Sequence, residues 1–582
     1  MLRLALAASL RAGLAALVLA PALLAAASQE PAPSVQLREP APSAQLWEPP
    51  AGDGPWVVRA RFHEREQVNR LASWSEPWEV HYDQGYLIVD VNRSGWQRLV
   101  TLGFEPELDV ERTARYFAPQ VRLPGQLNAI PGFPCYRTVE ETYASAQGIV
   151  AAYPTLATWI DVGDTWEKQQ AGGLPGYDMM VLRLTNSAIP GPKPKLLVTS
   201  AIHAREYATA ELMMRFAEFL SSSYGTDPDV TWILDNEEIH LLLQTNPDGR
   251  KKAEAGALWR KNTDSANCAS STEWGIDLNR NFPYNWGCCG GSSGSGCDET
   301  YRGTSGGSEP ETQAVRDYML SIFPDYGDPQ TGPIPDDAAG LFIDVHSYSE
   351  LVLWPWGYTG TQAPAPNNTE MQTLGRKFAY FNHYMPEQSI DLYITDGTTI
   401  DYAYGQLGVA AYTFEVGTDF FQDCGTFQNA ILPDNQKALL YAARIARQPY
   451  RLPAGPDALG VATVPSGNVG SGQPLLVTAT LDDTHYNNTN GTEPVQIIAA
   501  GEVYVDTPPW AAGAVPFAMA ATDGTFDHTS EAAQAILATG SWAPGRHTLF
   551  VRGQDAAGNW GPVGAVFIDL TVPVELQGFG IQ

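Results

Sequence analysis

The chain has 582 residues, too many for one ordinary domain, and three or four are expected. Hydrophobic residues make up 44%, ample for large buried cores. Lysine and arginine number 35 against 65 aspartate and glutamate, a net charge of −30, which argues against nucleic acid as a partner and reads as surface solubility.

The N-terminus carries Met1-Leu2-Arg3, then an alanine- and leucine-rich run broken by Arg11, then Ala25-Ala26-Ala27 before Ser28. This is the pattern of a secretory signal peptide over residues 1–27, with a retained anchor helix as the alternative. No later stretch is long and apolar enough to span a membrane. The expected location is therefore secreted or periplasmic, with no membrane partner once the signal is removed. The six cysteines, Cys135, Cys268, Cys288, Cys289, Cys297 and Cys424, fit an oxidising compartment. Zinc-ribbon spacing is absent, so they read as disulfides staking down a loop, and their spacing leaves the pairing open.

Residues 28–54 are a Pro/Ala/Ser-rich linker. Residues 55–115 alternate as strand, helix, strand, strand, helix, strand, a ferredoxin-like α+β order. The strand signals are Trp56–Ala60 and Val80–Val91 around Asp83-Gln84-Gly85; the helix signals are Glu64–Ser73 and Trp96–Leu102. Residues 116–130 are a second linker. From 131 to 450, strand runs (179–184, 196–200, 239–243, 341–345, 410–414) alternate with helix patterns (136–152, 208–222, 309–322, 368–384, 434–447). That alternation predicts an α/β domain around a mostly parallel or mixed sheet. From 455 to 572 helix patterns nearly vanish, and runs at 475–481, 497–505, 548–554 and 565–570 predict an all-β, immunoglobulin-like sandwich. Its Trp510, Trp542 and Trp560 suit either packing or carbohydrate. Residues 573–582 are a tail.

Several chemistry-bearing residues fall at the ends of the predicted strands, where α/β folds place their sites. His203 and Glu206 stand three apart at a strand-to-helix corner, both able to reach one cation; the pair alone is a weak signal. His346 ends the run Ile343-Asp344-Val345 and is the candidate third ligand. Asn279 and Arg280 offer an amide and a guanidinium fork that matches a carboxylate, and Arg260 is a second arginine. Glu415 ends another strand run and suits a general base. Tyr393 lies in a turn-rich segment, 392–401, that can cover a pocket.

Six segments in this order resemble the M14 zinc carboxypeptidases, the carboxypeptidase A and carboxypeptidase T group, over roughly residues 130–450. They are His203-Ala204-Arg205-Glu206, Asn246-Pro247-Asp248-Gly249, Trp259-Arg260-Lys261, Asp277-Leu278-Asn279-Arg280-Asn281, His346-Ser347-Tyr348-Ser349 and Thr413-Phe414-Glu415. The resemblance implies a mixed eight-stranded sheet flanked by helices and one zinc ion held by His203, Glu206 and His346, the ligand set known for carboxypeptidase A. It implies that Asp277 orients His203, Glu415 serves as general base to the attacking water, and Arg260 steadies the oxyanion. Asn279 and Arg280 would grip the terminal carboxylate of a peptide, Tyr393 would close over it, and Arg205 would lie in the outer cleft. Ile400 stands where basic-specific relatives carry an acid, which favours apolar or aromatic terminal residues; Asp396, Thr398 and Thr413 keep mixed specificity open. The resemblance also implies a Cys268–Cys297 disulfide, leaves the other cysteines open, and makes residues 55–115 a pro-domain. The expected protein is a monomer acting on peptide or protein C-termini. The rival readings are an amidase on peptidoglycan stem peptides and a binding protein with an inactive peptidase domain.

Overall fold

Strand β1 (Trp56–Arg61) opens the N-terminal domain, followed by β2 (Glu79–His81), β3 (Tyr86–Val91) and β4 (Glu105–Leu108). They form an antiparallel sheet in the order β2-β3-β1-β4, with helices Arg65–Ala72 and Arg93–Thr101 between β1 and β2 and between β3 and β4. The first helix starts at a reciprocal cap between Glu64 and Gln67, and buries Val68, Leu71 and Ala72 at helical spacing. The computed structural model describes residues 47–270, 273–359 and 364–571. The expected signal peptide, linker residues 28–46 and the tail lie outside the described residues. Among those described, no helix is long and apolar enough to cross a membrane.

The central domain is built on β5 (Ala157–Asp164), β6 (Asp178–Leu184), β7 (Lys195–Ser200), β8 (Glu238–Leu242), β9 (Leu341–His346), β10 (Leu351–Trp354), β11 (Met385–Gln388) and β12 (Ala410–Glu415). The eight strands form a mixed sheet ordered β11-β10-β12-β9-β7-β8-β6-β5, as expected. Its centre, β12-β9-β7-β8, is parallel; the flanking pairs β10/β12, β6/β8 and β5/β6 are antiparallel. Every residue of β9 is buried, so this central strand reads as a near-continuous apolar run. The helix Tyr207–Ser223 packs on β6 and β7 and on helices Val139–Ala152 and Leu432–Ile445, and is buried along most of its length. The parallel arrangement brings the C-terminal ends of β7, β9 and β12 side by side, with Glu415 in register with His346. That edge is where the candidate site lies.

One expectation is corrected here. The segment 392–401 is not turn-rich to its end: a helix begins at Thr399 and runs to Leu407. Thr398 caps it, its hydroxyl accepting from the Asp401 N–H. All six cysteines are paired. Cys268 joins Cys297; Cys135 joins Cys424, tying the start of the central domain to the segment after β12; Cys288 joins its neighbour Cys289.

The last domain holds β13 (Asp457–Val464), β14 (Gly467–Gly470), β15 (Pro474–Asp482), β16 (Ile498–Val505), β17 (Phe517–Ala518), β18 (Ala520–Ala521), β19 (Ser530–Ala538), β20 (Gly545–Asp555) and β21 (Gly564–Thr571). They make two sheets, β13-β15-β19-β18 and β14-β21-β20-β16-β17, around one apolar core. Buried ion pairs Lys377–Asp457 (3.0 Å) and Arg376–Glu493 (2.6 Å) fasten this domain to the helix Asn368–Asn382. Trp510 packs on Trp232 and Arg447 of the central domain, Trp560 lies under Arg552, and Trp542 packs beside His547. All three tryptophans are thus engaged in packing.

Candidate active site

The chain leaves β7 through Ala201, which adopts a left-handed φ of 55°, and turns so that His203 and Glu206 face the end of β9. Glu206 is the residue before the helix Tyr207–Ser223, yet its side chain does not cap that helix. It points at the imidazoles instead. His203 Nδ1 lies 2.7 Å from Glu206 Oε1, His346 Nδ1 lies 3.4 Å from Glu206 Oε2, and the two Nδ1 atoms are 3.1 Å apart. All three residues are buried, and one ligand atom from each falls within 4.8 Å of the others. Glu206 Oε2 has no hydrogen-bond partner. Two imidazole nitrogens and a carboxylate, turned inward on one point with a buried oxygen unsatisfied, fit a zinc ion.

The outer face of each imidazole is also held. His203 Nε2 lies 3.2 Å from Asp277 Oδ1, and His346 Nε2 lies 3.0 Å from Asp344 Oδ2. Burial raises the Glu206 carboxyl, but His203 and His346 more than offset it and hold it below the usual carboxylate range. Asp277 is likewise held far down against its burial by Arg260 and Arg280.

Arg260 donates from Nε and Nη2 to Asp277 Oδ2 at 3.1 and 2.9 Å, and its Nη1 bonds the Glu76 carboxylate. Asn279 and Arg280 lie on a tight turn capped by Asp277, whose Oδ1 accepts from Asn279 N at 3.0 Å. Arg280 is buried; Nε and Nη1 bond the carbonyls of Gly291 and Asn279. Its Nη2 has no protein partner among the described residues. Glu415 lines the cleft with Ser347, Tyr348, Tyr393 and Phe420. Desolvation, then the Glu206 and Glu76 carboxylates, push it well above the usual carboxylate range. Ile400 and Thr413 are buried, the first on the opening turn of the helix Thr399–Leu407 and the second beside Asp344 across β12/β9.

The segment 74–80 of the N-terminal domain, the loop before β2 and the start of that strand, fills this cleft. Glu76 Oε2 takes Arg205 Nη2 at 2.7 Å, and the Glu76 N–H donates to Glu299 Oε2 at 2.8 Å. Trp78 packs edge-on against Phe420, and Tyr348 OH donates to Glu79 Oε1 at 3.0 Å. Arg65 and Asn69 hold the backbone of Ile390 and Ile394 at 2.6 and 3.2 Å, and Tyr393 is buried in the N-terminal domain's core. The space left among Glu76, Trp78, Tyr393 and Glu415 is about 20 Å³, room for one water. Arg205 is fully buried between Glu76 and Glu299 rather than lying in an open outer cleft, because the N-terminal domain covers it.

Sequence reasoning missed Glu76, Asp344 and Thr399. Asp344 did carry a signal: a carboxylate inside the buried run Leu341–His346 needs a partner, and alternation puts it on the face of His346.

A family model described as zinc carboxypeptidase matches residues 142–439. The chain belongs to the zinc carboxypeptidase family. It is 34% identical over 331 residues to a zinc carboxypeptidase of Saccharothrix mutabilis subsp. capreolus, covering 55% of this chain and 70% of that one. It is 33% identical over 298 residues to rat (Rattus norvegicus) carboxypeptidase A1, covering 48% of this chain and 62% of the relative. The fold matches the solved structure of carboxypeptidase A from Helicoverpa armigera, with a TM-score of 0.53 and 21% identity over 68% of this chain and 98% of that one. It also matches thrombin activatable fibrinolysis inhibitor, with a TM-score of 0.52 and 20% identity over 68% of this chain and 99% of that one. This zinc carboxypeptidase is therefore a metallocarboxypeptidase whose cofactor is one zinc ion, with His203, Glu206 and His346 as its candidate site.

Proposed function

We propose that this carboxypeptidase is a secreted zymogen that, once processed, removes apolar or aromatic residues from the C-termini of peptides and proteins. One observation carries the reading. The inward-turned triad of His203, Glu206 and His346 stands beside a carboxylate, Glu415, and a guanidinium with an unspent donor, Arg280. His203, Glu206 and His346 hold the zinc, which when bound polarises the scissile carbonyl and makes water more acidic.

Arg280 takes the peptide's terminal carboxylate in its planar fork, with Asn279 beside it, so only a chain end fits. Glu415 removes the proton of the attacking water and delivers it to the leaving amine. Arg260 donates to the oxyanion, and Tyr393 covers the terminal residue. Asp277 keeps His203 in one tautomer.

Specificity follows from which acids near the pocket remain free. Asp396 accepts from Ser292 Oγ and the N–H groups of Cys289 and Gly291; Asp401 accepts from Gly357 N; Asp344 accepts from two threonines. Each carboxylate is spent on its own surroundings, and Ile400 supplies an apolar side chain. Among the described residues, none of these three acids is left unspent for a basic terminal side chain.

Residues 55–115 act as the pro-domain. Glu76 occupies Arg205 and Arg260, and the same domain holds Tyr393 down. The linker 117–128 is mostly exposed and contains one basic residue, Arg122, which is the natural cut for a trypsin-like protease. The N-terminal pattern and three disulfides fit export. A scan of N-acylated dipeptides differing in the last residue, with and without a chelator, tests the reading. Phenylalanine and leucine should exceed lysine and arginine by tenfold or more (~1.4 kcal/mol), with all activity lost to the chelator. Equal rates across residues, or chelator-resistant turnover, contradict it.

A further inference from the structure

We infer that Asp344 is a positioning residue for the second imidazole of the zinc site, and that two threonines fix it in that role. This rests on the proposed ligand set. Asp344 and His346 are two apart on β9, so their side chains project from the same face of the sheet. The Asp344 carboxylate is fully buried and 3.0 Å from His346 Nε2. With Nδ1 turned toward Glu206 and His203, Nε2 is the nitrogen that carries the proton and donates to Asp344. That bond holds the ring in one tautomer and orientation, with the Nδ1 lone pair free for a metal.

Both carboxylate oxygens are otherwise occupied by hydroxyls. Thr199 Oγ1, next door on β7, donates to Oδ1 at 2.7 Å, and Thr399 Oγ1 donates to Oδ2 at 2.7 Å. Thr399 is also tied to the proposed carboxylate grip, since its backbone N–H donates to Asn279 Oδ1 at 2.9 Å. Thr399 therefore joins the first turn of its helix to both Asp344 and Asn279.

The two carboxylates behind the two imidazoles differ in their own neighbours. Asp277 shares its charge with Arg260, which bonds it through Nε and Nη2. Asp344 is held by neutral hydroxyls, so its charge falls on His346. Removing it should weaken the site at least as much as removing Asp277.

The test is an equilibrium competition for zinc between metal-free full-length protein and a chromophoric chelator, with cobalt(II) spectra recorded alongside. Asp344→Asn should bind zinc about 10–100-fold more weakly than the parent. Its cobalt(II) absorption bands should shift, while its metal-free melting temperature stays near the parent's. Thr399→Val, which keeps the carboxylate but removes one of its holders, should weaken zinc several-fold and covers the case in which Asp344→Asn does not fold. Parent-like zinc affinity and cobalt(II) bands in either variant overturn the inference. His346→Ala separates the two levels: if it binds zinc as tightly as the parent, the ligand set itself is wrong.

Discussion

Glu76 Oε2 lies 2.7 Å from Nη2 of Arg205, and the same oxygen bonds Nη1 of Arg260. A carboxylate of the N-terminal domain thus sits between two buried arginines of the cleft, each of which also pairs with an acid of the central domain, Glu299 for Arg205 and Asp277 for Arg260. Burial opposes its ionisation, yet Arg260 and Arg205 hold it below the usual carboxylate range. Glu76→Gln keeps the shape and removes the charge. Full-length Glu76→Gln should hydrolyse a small acylated dipeptide about tenfold faster or more, since breaking a buried pair costs several kcal/mol. Enzyme freed of residues 1–122 should be the same from either parent.

The linker offers a second check on the same arrangement. Trypsin at low ratio should cut after Arg122, seen by N-terminal sequencing of a product beginning at Leu123, and activity should rise with that cut. Arg122→Gln should slow both together. Activation without cleavage in 117–128 would place the control elsewhere.

Arg280 is assigned to the terminal carboxylate, so its loss should depend on that group being charged. Arg280→Ala should lower kcat/KM on a free-acid peptide by about 10–100-fold, the range of charge-assisted hydrogen bonds. On the matching C-terminal amide, which the parent should turn over slowly, the variant should differ little. Arg280→Lys should recover part of the loss, because an ammonium lacks the planar fork.

Glu311 predicts a stability change with pH far from the chemistry. It is fully buried, accepts from Trp166 N at 2.7 Å, and is pushed up to about 8 by burial and by Glu309 and Asp248. In the folded chain it holds a proton that the unfolded chain gives up above about 4.5. Its contribution is therefore fully present below that value and is lost as pH rises through about 8. Between pH 6 and 9, Glu311→Gln should lose less melting temperature than the parent. A parallel decline in both would show that Glu311 is already ionised when folded.

How far the sequence could be read follows from burial. β7, β9 and β12 are covered on both faces and show as apolar runs, so their positions were plain. β5 is half-exposed and its apolar residues are interrupted by Asp161, Gly163 and Asp164, and β11 is Met385-Pro386-Glu387-Gln388; neither has a clear strand pattern, and each sits at an edge of the sheet. β19 alternates inside and outside, but through alanines that read equally as helix. The residues of the site were visible because each lies in a short local motif. Glu76 was not, because its meaning comes from a loop of one domain reaching into the cleft of another, more than 100 residues along the chain. Arg205 shows the converse: the motif located it, but only the covering domain explains its burial.

The central claim is that His203, Glu206 and His346 hold one zinc ion. An anomalous difference map collected at the zinc edge, from crystals of the processed protein, addresses it directly. The account predicts a single strong peak about 2.0–2.2 Å from His203 Nδ1, His346 Nδ1 and a Glu206 oxygen. No peak there, or a peak bound by other residues, would contradict it.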